Sequence, residues 1–272
     1  MKPKLAKKLL LAATFASAIA VPNSNVLADN AFNIFTDPSG TLVTYDNASG
    51  NYPVITAILS QPGTVNGRTY TSWSFLAQDS TGSLDMFGAL PGGSSYVPTV
   101  GDAISVSGTY SPFHQIPEIG TMTAISLISS GNSVPAVGVS TIPTLNQTTL
   151  PQGVAGHLWE LDNVTISGEG SGTFGTANSP SGAMITDSGN NSMTFFYWPT
   201  SYSMANANLA NTTIPSGPVN MVGFVSVFTS GGVSTPEFNP ISIIAVPEPT
   251  SLALFGVGGL LTLTLALRRR NA

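Results

Sequence analysis

The middle of the chain repeats itself, and a repeat made of short alternating runs and glycine turns leaves few folds open. Residues 73–80 form an apolar, strand-like run that passes through Gly82 into residues 83–87. Residues 183–188 pass through Gly189-Asn190-Asn191 into residues 192–196 in the same way. Each is a β-hairpin signature, because Asp, Ser, Asn and Gly at the joint tolerate tight turns or hydrogen-bond within them. Further on, residues 100–108 correspond to residues 216–223, a turn that leads into a period-two strand ending on glycine. Pro117-Glu118-Ile119 followed by 125–128 then corresponds to Pro236-Glu237-Phe238 followed by 241–244. Four features in one order mark a duplication.

An opening strand precedes each hairpin, at 53–60 and at 158–166. Each half therefore predicts five strands with its connecting segment between the third and the fourth, which is the layout of an OB-fold. The expected fold class is all-β, with two tandem five-stranded OB-like barrels over 29–130 and 153–246. A Ser-, Pro- and Val-rich stretch, 131–152, reads as the linker between them. A single β-sandwich over the whole body shares the same alternation and is the competing architecture. The Gly- and Pro-rich connection 89–98 predicts irregular chain, whereas 200–210, with Tyr202, Met204 and Leu209, predicts a short helix.

The two ends differ from the body. Lys2, Lys4, Lys7 and Lys8 precede an apolar run over 9–21, and Val26-Leu27-Ala28 supplies the residues before a cut. Residues 1–28 thus read as an export signal peptide. At the other end Pro247-Glu248-Pro249 precedes 17 uncharged residues, 251–267, and then Arg268-Arg269-Arg270. As a helix the apolar run would reach about 25 Å, short of a hydrocarbon core of about 30 Å, and the arginines would hold its end on the cytoplasmic side. This order of parts over 247–272 resembles the PEP-CTERM sorting signal of bacterial exported proteins. The resemblance implies an exosortase-type membrane protease as partner and a precursor anchored in the inner membrane by its C-terminal helix. It also implies cleavage near 247–249, delivery to the cell surface or extracellular matrix, and an association with exopolysaccharide or biofilm. The hairpin and strand patterns of the body resemble OB-type modules of exported bacterial proteins.

Charge narrows the function further. Of 13 acidic and 8 basic residues, all but one acid and only Arg68 among the bases fall in 29–246, which leaves that body at −11. Nucleic-acid binding draws on cations that neutralise phosphates, so a single arginine argues against it. Cysteine is absent, and neither disulfides nor thiol chemistry can contribute.

Catalytic patterns are thin. No nucleophile elbow occurs, and His114 and His157 sit at non-equivalent places in the repeat, where they read as surface or strand-edge residues. Glu118 and Glu237 occupy equivalent positions, which points to a structural role in each barrel; a glycosidase pair would converge on one bond. Asp79, Asp85 and Asp187 place oxygens near turns, which makes them weak calcium candidates, although Asp favours turns for its own backbone bonding. No cofactor is otherwise implied. Aromatics where strands run out into loops, Tyr110, Phe113, Tyr197 and Trp198, are the candidate ligand-binding residues, able to stack on a sugar or anchor a protein. The expected function is a non-catalytic binding, adhesion or structural role outside the cell. The alternative is an extracellular hydrolase whose site is not visible as a motif.

Overall fold

The computed structural model describes residues 28–46, 50–65, 67–92, 94–168, 172–175, 183–196 and 209–246. The signal peptide up to residue 27, the Pro-Glu-Pro segment, the apolar run 251–267, the arginine cluster, Tyr197 and Trp198 lie outside these residues, as does nearly all of the helix expected over 200–210.

The described chain opens with β1 (Ala28–Asp29), a short helix α1 (Ala31–Thr36) and β2 (Leu42–Tyr45). Asn30 starts the helix, its side-chain oxygen accepting from the Asn33 N–H at 2.9 Å, and Ala31 and Ile34 turn inward. Then come β3 (Val54–Ser60), a separate hairpin of β4 (Gly63–Val65) and β5 (Arg68–Tyr70), β6 (Trp73–Gln78), β7 (Ser83–Gly88), β8 (Ala103–Tyr110) and β9 (Glu118–Ser129). Hydrogen bonds run β3-β6-β7-β9-β8 and back to β3, closing a ring in which only β7 and β9 are parallel. β2 adds to the outer side of β8, with β1 beyond it.

The second half begins with β10 (Gly138–Ser140) and α2 (Ile142–Leu145). It continues through β11 (Trp159–Ser167), β12 (Met184–Thr186), β13 (Ser192–Phe195), β14 (Val219–Ser230) and β15 (Val233–Ala245). Its ring, β11-β12-β13-β15-β14 and back to β11, has the same order and the same single parallel contact, β13 with β15. These are two closed five-stranded mixed barrels in tandem, OB-like in topology, and the single sandwich is set aside.

Each barrel has its own core. Ile55, Phe75, Ala77, Leu84, Met86, Ile104, Val106 and Ile119 fill the first; Leu161, Ile185, Met193, Phe195, Met221, Val225 and Phe238 fill the second. The segment 131–152 does more than link: it carries β10, parallel to β11, and α2, and it sends Ile142, Leu145 and Leu150 into the second core. Connection 89–98 is irregular where described, as its Gly and Pro content requires.

The duplicated glycine of the fourth strand explains how both rings close, and neither strand ends there as expected: β8 runs on to Tyr110 and β14 to Ser230. Gly108 and Gly223 each sit at a register shift against the fifth strand. A Cβ at Gly108 would collide with the Thr121 carbonyl oxygen and the Ile119 side chain; one at Gly223 would collide with the Asn239 carbonyl oxygen and stand 2.7 Å from the Phe238 ring. The extra residue at each shift lies on the fifth strand, Thr123 in one ring and Ile241 in the other, and only a residue without a side chain permits so close an approach of its backbone.

Candidate functional site

In a free OB barrel the outer face of strands two and three, with the loop between strands four and five, is the usual place for a ligand. Here the first barrel spends that face on the second barrel. Ala57 and Leu59 of β3, Leu76 of β6 and Ile116 are buried together with Phe224 of β14, and Phe87, Phe113, Leu158 and Ile241 pack around them. The turn between β8 and β9 reaches across the same seam. Its tip is a two-residue hairpin in which Phe113 and Ile116 exchange backbone hydrogen bonds at 3.0 and 2.8 Å. His114 and Gln115 both have left-handed backbones, with φ of 50° and 61°, a conformation that Asn-Gly would adopt at lower cost. Their side chains account for the choice. Gln115 donates to the Thr148 carbonyl at 3.0 Å and accepts from the Leu150 N–H at 2.9 Å. The His114 carbonyl accepts from the Val227 N–H at 2.7 Å, and its ring lies between Phe113 and Phe228, with centroids 4.0 and 5.2 Å away.

Both histidines, expected at the surface, are therefore half-buried where the two halves of the chain meet. Desolvation lowers the pKa of each, and the Asp79 charge partly offsets that for His157. Their place at the seam was not legible, because alternation describes one barrel at a time and carries no information about what packs on its outside.

Buried carboxyls flank this seam. Asp85 of β7 and Glu118 of β9 are partners across the parallel pair, and Asp85 accepts from the Ser74 hydroxyl at 3.1 and 3.2 Å. Burial pushes Glu118 up to about 8, with the Asp85 charge adding to it. In the second barrel Thr194 replaces Asp85 opposite Glu237, and burial alone pushes Glu237 up to about 7.

Beside the seam lies an open cleft of about 620 Å³, between the β6–β7 turn and the stretch that leads into β11. Asn51, Tyr52 and Val54 form one wall, Gln78 to Thr81 the second, and Pro135, Gly153 and His157 the third. Asp79 is spent on structure: its Oδ1 accepts from the Thr81 N–H and hydroxyl and from the Gly82 N–H, and its Oδ2 accepts from the Ala31 N–H at 3.0 Å. His157 makes no hydrogen bond to Asp79 or to Ser80, and its buried Nε2 has no hydrogen-bond partner in the protein.

The residues singled out from sequence do not gather in one place. Tyr110 is a core residue, 3% exposed, with its hydroxyl near the Phe35 carbonyl. Phe113 belongs to the seam. Asp85 is fully buried and lies apart from the turn oxygens of Asp79, while Asp187 closes the β12–β13 turn by accepting from the Gly189 and Asn191 N–H groups, both at 2.9 Å. Those bonds hold Asp187 below the usual carboxylate range, the Asn191 side chain contributing most. Among the described residues no three of His, Cys, Asp or Glu gather as metal ligands, and no helix is long and apolar enough to cross a membrane. The cleft itself was missed in sequence. Its only advance signal was Tyr52, an aromatic just ahead of the opening strand.

Residues 245–270 match the PEP-CTERM protein-sorting motif. The chain thus carries an exosortase-type sorting signal after its second barrel, which marks an exported, surface-associated protein processed by an exosortase-type enzyme. No curated protein matches the chain. Among solved structures it is similar to a replication protein A heterotrimer bound to ssDNA, at 10% identity and a TM-score of 0.24, covering 89% of this chain and 72% of that one.

Proposed function

We propose that the protein is a non-catalytic binding module of the cell surface or extracellular matrix, held before processing as a membrane-anchored precursor and then released or transferred to the outside. Its two barrels serve as one rigid body that engages an extracellular polymer or a protein partner. The observation that carries this reading is the use made of the reactive side chains. Glu118 and Asp85 are buried, the half-buried His114 ring is packed between Phe113 and Phe228, and Asp79 is saturated by backbone donors. A general base needs a proton to take from within reach, and a nucleophile needs that base beside it. Nucleic acid is disfavoured by the charge of −11 on 29–246.

A second reading has one observation in its favour. His157, Asp79 and Ser80 share the cleft, the residue types of a hydrolase, although no hydrogen bond joins the histidine to either partner.

The test is to produce the chain in a host with an exosortase-type enzyme, weigh the exported form, and incubate it with the host's extracellular polymer. The expected outcome is a product that has lost both ends and sediments with the polymer without shortening it. An exported form with its C-terminus intact would overturn the sorting scheme, and polymer shortening that Ser80→Ala abolishes would favour the hydrolase.

A further inference from the structure

We infer that the cleft beside the seam binds a neutral saccharide, with Tyr52 as the platform on which a sugar ring stacks. This rests on the binding-module reading and names the ligand class and the place.

The cleft has the ingredients of such a site and lacks those of others. At about 620 Å³ it is within the range of small-molecule sites. Tyr52 stands at its wall and is 36% exposed, so the ring keeps an open face for the apolar side of a pyranose. Around it the lining is amide and hydroxyl, from Asn51, Gln78 and Ser80, while the Thr81 hydroxyl is taken up by Asp79 Oδ1 and the Phe32 N–H. These groups both donate and accept, as a polyol requires. His157 adds an imidazole to the third wall; its Nε2 is buried without a partner in the protein, and desolvation lowers its pKa against the opposing Asp79 charge.

Other ligand classes fit less well. No cation lines the cleft and Asp79 does, so an anionic sugar or a phosphate meets no counter-charge. An extended peptide would add to a free strand edge. At the cleft neither strand offers one, because β3 is paired with β8 at Val54 and with β6 beyond, and β6 pairs with both β3 and β7. The Asp79 carboxylate acts on the wall itself, since its bonds to Thr81, Gly82 and Ala31 fix the turn that presents Ser80 and Thr81. The wall is therefore set before any ligand arrives, which lowers the cost of binding.

The test uses the full chain in detergent with neutral tetrasaccharides of glucose, galactose and mannose and with a tetramer of galacturonate, by calorimetry. At least one neutral probe should bind, and galacturonate should bind about tenfold more weakly or not at all. Tyr52→Ala should lose about tenfold in affinity, Tyr52→Trp should restore it, and both should keep the parent's melting temperature. His157→Gln tests the orphan nitrogen and should weaken binding with less effect than Tyr52→Ala. Failure of every neutral probe to bind, equal binding of galacturonate, or unchanged affinity in Tyr52→Ala would each overturn the inference while leaving the surface-protein reading intact. Shortening of a bound probe would instead overturn the non-catalytic reading and leave the cleft as the saccharide site.

Discussion

Gly108 and Gly223 are the residues on which each ring depends most directly. Placing a methyl group there drives it into a backbone carbonyl, and a carbonyl held by the fifth strand cannot swing aside as a flexible side chain can. Gly108→Ala and Gly223→Ala should each cost about 3 kcal/mol, the upper end of overpacking penalties, read as a lower denaturant midpoint with an unchanged slope. Glu118 makes a second residue-scale prediction. Its folded pKa, about 8, lies above its ordinary value of 4.5, so the folded state holds a proton that the unfolded state gives up. Stability from this group is therefore full below pH 4.5 and drains away as pH rises towards 8. Glu237 drains over a narrower window, to about 7. Glu118→Gln removes the charge that alkaline pH would force into the first barrel. Its melting temperature should exceed the parent's at about pH 9, and the gap should shrink at about pH 5. A gap that widens towards acid would show that the buried carboxyl is ionised.

At the scale of strands and turns, period-two alternation marked the fourth strand of each ring and the repeated hairpin and Pro-Glu patterns marked others, and the turns after Asp79 and Asp187 fixed where each hairpin folds back. The seam was written in the places where alternation fails. β6 is buried from Trp73 through Ala77, on both faces, and Phe224 interrupts the inward series of Met221, Val225 and Val227. On its second face β6 offers a single apolar residue, Leu76, between Ser74 and Gln78, too little for the cover there to be read from sequence. β1, α1 and β10 were not legible for a different reason. Elements of 2 to 6 residues carry too little pattern to show a period, and their conformation is set by the barrel they dock on. The cleft was equally hidden, since Tyr52 and His157 are 105 positions apart and meet only through the packing of one half on the other. Phe224→Ala tests whether the seam binds the barrels into one unit. It should cost about 3–5 kcal/mol as a buried aromatic deletion, and calorimetry should show one transition split into two. A loss of similar size within a single sharp transition would mean that the cavity weakens only the second barrel.

For the molecule as a whole, charge and termini set the terms. With −11 on 29–246 and only Arg68 to oppose it, the folded body repels itself. Raising salt from about 10 mM to about 500 mM shortens the screening length to a few ångströms and should raise the melting temperature by roughly 2–4 °C, about 1 kcal/mol for a body of this size. The sorting signal meets the second barrel without a spacer. The last rung of β15 pairs Ala245 with Val219, the Val246 N–H donates to the Pro218 carbonyl at 3.0 Å, and Pro247 follows at once. Proline has no N–H to extend the ladder, so Pro247 cannot add a donor to the pairing of β15. The barrel should then tolerate loss of everything after Val246 and little more. Ile243 packs against the second core opposite Met221, so removing residues 243–246 exposes that core and unpairs the end of β14. A chain ended at Val246 should melt within about 2 °C of the full chain, whereas one ended at Ser242 should lose the second barrel's share of the transition. Equal melting of the two versions would show that the end of β15 contributes nothing to the barrel, and the sorting signal would then have slack that the fold denies it.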